Sequence, residues 1–113
     1  MKDLKNINKV GVYMLNECQA KAPSIVQIKV TESKCDLMPQ DNEVILEGPC
    51  INYEKSGPVC LTALNAIYPW IMVSRFDVET DILDYDSEQK CYHVTCPCGT
   101  VLFDIRKIKE KLK

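Results

Sequence analysis

Gly48-Pro49-Cys50-Ile51-Asn52-Tyr53-Glu54-Lys55-Ser56-Gly57-Pro58-Val59-Cys60-Leu61-Thr62-Ala63-Leu64-Asn65-Ala66-Ile67-Tyr68-Pro69-Trp70 divides the chain into a strand-like half and a hairpin-like half. Two Gly-Pro pairs, each followed closely by a cysteine, open and close a loop, and the second pair feeds an apolar run. Gly57 suits an N-cap and Pro58 the first helical position, where the missing N–H of proline is not needed. Leu61, Leu64, Tyr68 and Ile71, with Ala63 and Ile67 beside them, recur at helical spacing and predict one main helix over about 59–74. Pro69 cannot donate to the carbonyl of Asn65, so a kink or restart is expected there.

Upstream, Val26, Ile28 and Val30 alternate with Gln27, Lys29 and Thr31, the pattern of a half-buried strand. Residues 34–42 read as a loop holding Cys35. Glu43-Val44-Ile45-Leu46-Glu47 is a second short strand, ended by Gly48-Pro49. Downstream, residues 91–96 and 100–105 flank Pro97-Cys98-Gly99, a triplet suited to a tight turn, and predict an antiparallel hairpin. Thr80 is placed to cap a short turn over 81–85. Residues 1–22 read as an N-terminal extension, with Val10, Met14 and Cys18 at helical spacing over 10–20. Residues 23–113 then form a single α+β domain, about four short, mostly antiparallel strands with the helix packed on one face.

A chain of 113 residues with 46% apolar and 27% charged residues has ordinary globular composition. A formal charge of −2 and a pI near 5.4 leave no electrostatic footprint for nucleic acid. The basic run over 106–113 reads as a solvated chain end. No run approaches the roughly 18 apolar residues of a membrane span, and residues 1–6 lack the apolar core of a secretory signal. The expected setting is therefore cytoplasmic, with thiols reduced. Seven cysteines, an odd number, cannot all pair internally.

Those cysteines are the chemically informative residues. Cys60, if in the first turn of the helix, lies where free amides favour a thiolate, which makes it the candidate reactive or catalytic residue. Its apolar neighbours on the same face favour a plain core position. Cys96-Pro97-Cys98-Gly99 resembles a metal knuckle shortened by one residue, so the usual ring of amides around the first sulfur is not expected unchanged. Cys35, Cys50, Cys60, Cys96 and Cys98 form the candidate metal set, with zinc or an iron–sulfur cluster as the ions that soft thiolates select. His93 lies on the strand face of Cys91 and opposite that of Cys96, and reads as a surface or hydrogen-bonded histidine. Asp77, Glu79, Asp81 and Glu88 match part of a calcium-loop template, but Ile82 stands where glycine is needed, so calcium is not expected. Tyr68 and Trp70 are the candidate partner-binding residues.

Lys34-Cys35, the Glu43–Pro49 run, Lys55-Ser56-Gly57, Val59-Cys60-Leu61-Thr62-Ala63-Leu64, Ala66-Ile67-Tyr68-Pro69, and Cys96-Pro97 with Gly99-Thr100-Val101-Leu102-Phe103 also carry a resemblance. Together they resemble a family of small proteins, found mainly in anaerobic bacteria and archaea, for which no activity is established. The resemblance covers about 25–107. It departs at Cys98, where the family has a longer insertion, and at the N-terminal extension. It implies an anaerobic, intracellular setting and no mechanism. Two functions stay open from the residues: an interaction or accessory module, binding a protein partner or its own copy as a dimer, and a cysteine-thiolate protein that binds a metal or does thiol redox work.

Overall fold

The computed structural model describes residues 15, 24–78 and 83–108. Apart from Leu15, the helix expected over 10–20 and the Thr80 cap lie outside these residues. The domain is α+β: a five-stranded antiparallel sheet with two helices on one face. In chain order the elements are β1 (Ile25–Ser33), β2 (Glu43–Glu47), β3 (Cys50–Ile51), α1 (Leu61–Ala66), α2 (Tyr68–Arg75), β4 (Tyr92–Thr95) and β5 (Val101–Ile108). Strand order is β3-β2-β1-β5-β4. The chain thus leaves the sheet at one edge and re-enters at the other, and the helices make that crossing over β1 and β5.

The alternation read from the sequence sets the two faces. Val26, Ile28 and Val30 of β1, Val44 and Leu46 of β2, and Val101, Phe103 and Ile105 of β5 meet Ala63, Ile67 and Ile71 in one core. The register places Ile28 against Val44 on one side and Ile105 on the other, so the apolar sets align across three strands. Leu102, Asp104 and Arg106 turn to the opposite face.

There are five strands where about four were expected, because Gly48, at φ 59°, turns the chain back. Cys50 and Ile51 then pair with Glu47 and Leu46. The helix also begins later than expected. Gly57 donates its N–H to the Glu43 carbonyl at 2.9 Å, and the Pro58 carbonyl accepts from Asn42 Nδ2 at 2.8 Å. These bonds tie 57–58 to the start of β2, and Cys60 becomes the N-cap of α1 rather than a first-turn residue. The helix is split at Ile67, with Pro69 inside the first turn of α2, where its missing N–H costs nothing. The break leaves Ala63, Ile67, Ile71 and Ser74 on the buried side, while Leu61 and Tyr68 are exposed instead of joining the core.

Gly57 packs so closely that a Cβ there would stand 1.9 Å from Asn42 Oδ1. Gly57→Ala is expected to rotate Asn42 away, lose its bond to Pro58 and cost about 1–2 kcal/mol. A urea midpoint unchanged from the parent protein would show that Asn42 moves without loss.

Candidate metal centre

The hairpin formed by β4 and β5 closes as its turn residues predict. Gly99, at φ 72°, donates to the Cys96 carbonyl at 2.9 Å, and Cys96 N–H donates to Val101 at 3.0 Å. From this turn the ladder runs Thr95 to Leu102, Val94 to Phe103, His93 to Asp104 and Tyr92 to Ile105. His93 and Asp104 are therefore cross-strand neighbours on the face opposite the helices. Cys91, two residues before His93, shares that face.

A second turn, over 86–91, completes the group. Asp86 accepts the N–H of Glu88 and of Gln89 on Oδ1, each at 3.0 Å. Lys90 takes a left-handed conformation, φ 59°, and its N–H donates to the Asp86 carbonyl at 2.7 Å. Asp86 and Cys91 then bridge as a strand pair, which sets Asp86 Oδ2 2.8 Å from His93 Nε2. On the other side of the ring, His93 Nδ1 is 2.7 Å from Asp104 Oδ1. Hydrogen bonds to Asp86 and then Asp104 raise the His93 pKa above its ordinary 6.5, and the bond to His93 lowers that of Asp86 from 3.8.

Cys91 is fully buried beside this clamp, its Sγ 4.0 Å from His93 Nδ1 and 3.8 Å from Nε2. Burial pushes the Cys91 thiol up, and a hydrogen bond from Arg106 acts against it. Arg106 also reaches Asp104, Nη2 to Oδ2, at 3.5 Å. Ligand atoms of Cys91, His93 and Asp104 all lie within 4.8 Å of one another. Ligands on a tetrahedral zinc ion stand roughly 3.3–3.7 Å apart, given bonds of about 2.0–2.3 Å. The Nδ1–Oδ1 separation of 2.7 Å is shorter than that spacing and the Sγ–Nδ1 separation of 4.0 Å is longer, so an ion would spread the first pair and draw in the sulfur.

The five cysteines singled out from the sequence are distributed differently. Cys96 is buried in the helix-side core, with Cys35 and Cys60 half-buried against it, while Cys50 and Cys98 are exposed. Among the described residues, none of the five belongs to a group of three metal-ligating side chains. The shortened knuckle nevertheless surrounds its first sulfur with donors. Burial pushes the Cys96 thiol up, but the Thr100 hydroxyl and the N–H groups of Thr100, Val101 and Cys98 outweigh it and bring it down to about 7. Trp70 is half-buried, its Nε1 donating to the Leu83 carbonyl at 3.4 Å, whereas Tyr68 is exposed. Cys91 and Asp104 were not singled out by sequence reasoning. Counting back from Thr95 and forward from Leu102 finds the His93–Asp104 pair once the turn is placed.

Protonated His93 bridges two carboxylates, and the sign of its pH dependence follows. Its raised pKa means that this stabilisation is full below about pH 6.5 and is lost as pH rises through the folded value. The lowered Asp86 pKa makes its share full above about 3.8 and lost as pH falls through the folded value. In metal-free protein, the His93 ring protons are expected to titrate above 6.5, and Asp86→Asn to bring that midpoint down. Equal midpoints by NMR in the two proteins would remove Asp86 from the clamp.

The fold and site together define a small α+β protein with a Cys-His-Asp group on the sheet face that the helices leave free. No family model, curated protein or solved structure matches this chain. No helix among the described residues is long and apolar enough to cross a membrane.

Proposed function

We propose that this protein is a metal-binding thiolate protein, and that Cys91, His93 and Asp104 hold one zinc ion. The supporting observation is the convergence of one sulfur, one imidazole nitrogen and one carboxylate within 4.8 Å. An ion between them replaces the proton shared by His93 Nδ1 and Asp104. His93 Nε2–H still donates to Asp86, and a carboxylate on the far nitrogen is the usual outer support of a metal-bound histidine. Sulfur, imidazole and carboxylate in one set favour zinc, whereas a single thiolate does not suit a cluster held by about four cysteines. Three protein ligands leave one coordination position for water or a further ligand.

Metal-free protein titrated with Co(II) under anaerobic conditions tests this. One equivalent should bind, with near-ultraviolet thiolate-to-cobalt absorption that Zn(II) abolishes. Absorption that persists in Cys91→Ser would place the ion elsewhere.

A second reading, an interaction module binding a protein partner or its own copy, is favoured by Leu61 and Tyr68, 77% and 48% exposed on consecutive helices. Sedimentation that is independent of concentration would remove self-association.

A further inference from the structure

We propose that Cys96 and Cys98 form a thiol–disulfide exchange pair, in which Cys98 takes up a small-molecule disulfide at the surface and Cys96 resolves it. Cys96 is buried on the helix side of the sheet, so the inference does not rest on the metal centre.

Two observations carry it. The first is the surroundings of the Cys96 sulfur. The Thr100 hydroxyl stands 3.5 Å from Sγ, and the N–H groups of Thr100, Val101 and Cys98 donate to it as well. Donors that converge on one sulfur stabilise its thiolate, which is why this thiol ionises at about 7 despite its burial. The second is the place of Cys98. It is exposed, and it stands in the turn that Gly99 N–H closes on the Cys96 carbonyl at 2.9 Å. Its own amide touches the Cys96 sulfur, so its Cβ is held beside that sulfur, and rotation about one side-chain bond brings the two thiols together.

Exposure divides the roles, since Cys96 is only 8% exposed and Cys98 is open to solvent. The Cys98 thiolate attacks one sulfur of an incoming disulfide, forms a mixed disulfide and releases the first small thiolate. The Cys96 thiolate then attacks Cys98 Sγ, and the second small thiolate leaves with the electron pair of the broken bond. Two protein thiols are oxidised, the incoming disulfide is reduced to two thiols, and these take up the two protons. The ring closed between residues two apart is strained, and the donors around Cys96 favour the reduced pair. Both effects make the bond easy to reduce, so the pair hands its oxidation on.

Metal-free protein, held with a chelator, prepared without oxygen and incubated with oxidised glutathione, tests this. Peptide masses should show the hairpin peptide short of two hydrogens, with residues 96 and 98 joined, and reduced glutathione should reverse the change. In Cys96→Ser the reaction should stop with glutathione held on Cys98. In Cys98→Ser, a change at an exposed site that spares the fold, Cys96 should take up no glutathione over the same period. Closure from the mixed disulfide should quicken with pH and level off above about 7. Thr100→Val removes one donor and should move the glutathione equilibrium about three- to tenfold towards the disulfide, or about 15–30 mV. The proposal is overturned if glutathione stays on Cys98 in the parent protein, if Cys98 pairs with another cysteine, or if both thiols stay reduced in oxidised glutathione. Zinc binding on the opposite face is untouched by any of these results.

Discussion

Cys91→Ser is expected to weaken zinc binding by at least about a hundredfold, because it exchanges a thiolate for a hydroxyl that zinc does not deprotonate readily. His93→Ala should do the same by removing the nitrogen ligand. Asp86→Asn should cost less, about 10–100-fold, since that carboxylate acts by orienting the ring rather than by touching the ion. Cys96→Ser should leave affinity unchanged, because Cys96 is buried on the other side of the sheet. The order of these four effects is the diagnostic quantity. Competition with a chromophoric chelator measures it, and equal losses in Cys91→Ser and Cys96→Ser would locate the ion at neither. Binding should also raise stability, by about 4 kcal/mol at a free zinc concentration a thousandfold above Kd. A thermal midpoint that zinc raises in the parent protein and leaves alone in Cys91→Ser joins the site to the fold.

The second large effect lies in the core. Phe103→Ala is expected to destabilise the protein by about 3–5 kcal/mol. Phe103 is 1% exposed, pairs with Val30 on one side and Val94 on the other, and faces the helix layer. Removing its ring opens a void at the meeting point of three strands, and neighbours held by ladder hydrogen bonds cannot move far to fill it. Total stability of a domain this size is only about 5–15 kcal/mol, so the variant should be partly unfolded at modest urea. A loss under about 1 kcal/mol would show that the helices settle onto β5 without the ring.

Local pattern determined most of the fold. Alternation at Val26, Ile28 and Val30, and at Val101, Phe103 and Ile105, reports burial of one strand face, and each side chain obeys it without knowledge of distant residues. Pro97-Cys98-Gly99 announces its turn because proline fixes its own φ and glycine admits the positive φ, 72° at Gly99, that the turn needs. The interruption near Pro69 was legible for the same reason. What the tertiary structure decided was which neighbours each residue met. Gly57 and Pro58 look like a helix start in isolation, but hydrogen bonds to Glu43 and Asn42 hold them against β2 and move the start to Leu61. Cys60, the thiol that local sequence favoured, thereby became a cap packed on the core. Cys91, His93, Asp104 and Asp86 come from a strand, its partner and a turn that folds over both. Their convergence depends on pairing register and on the left-handed turn at Lys90, which no periodicity in the sequence records.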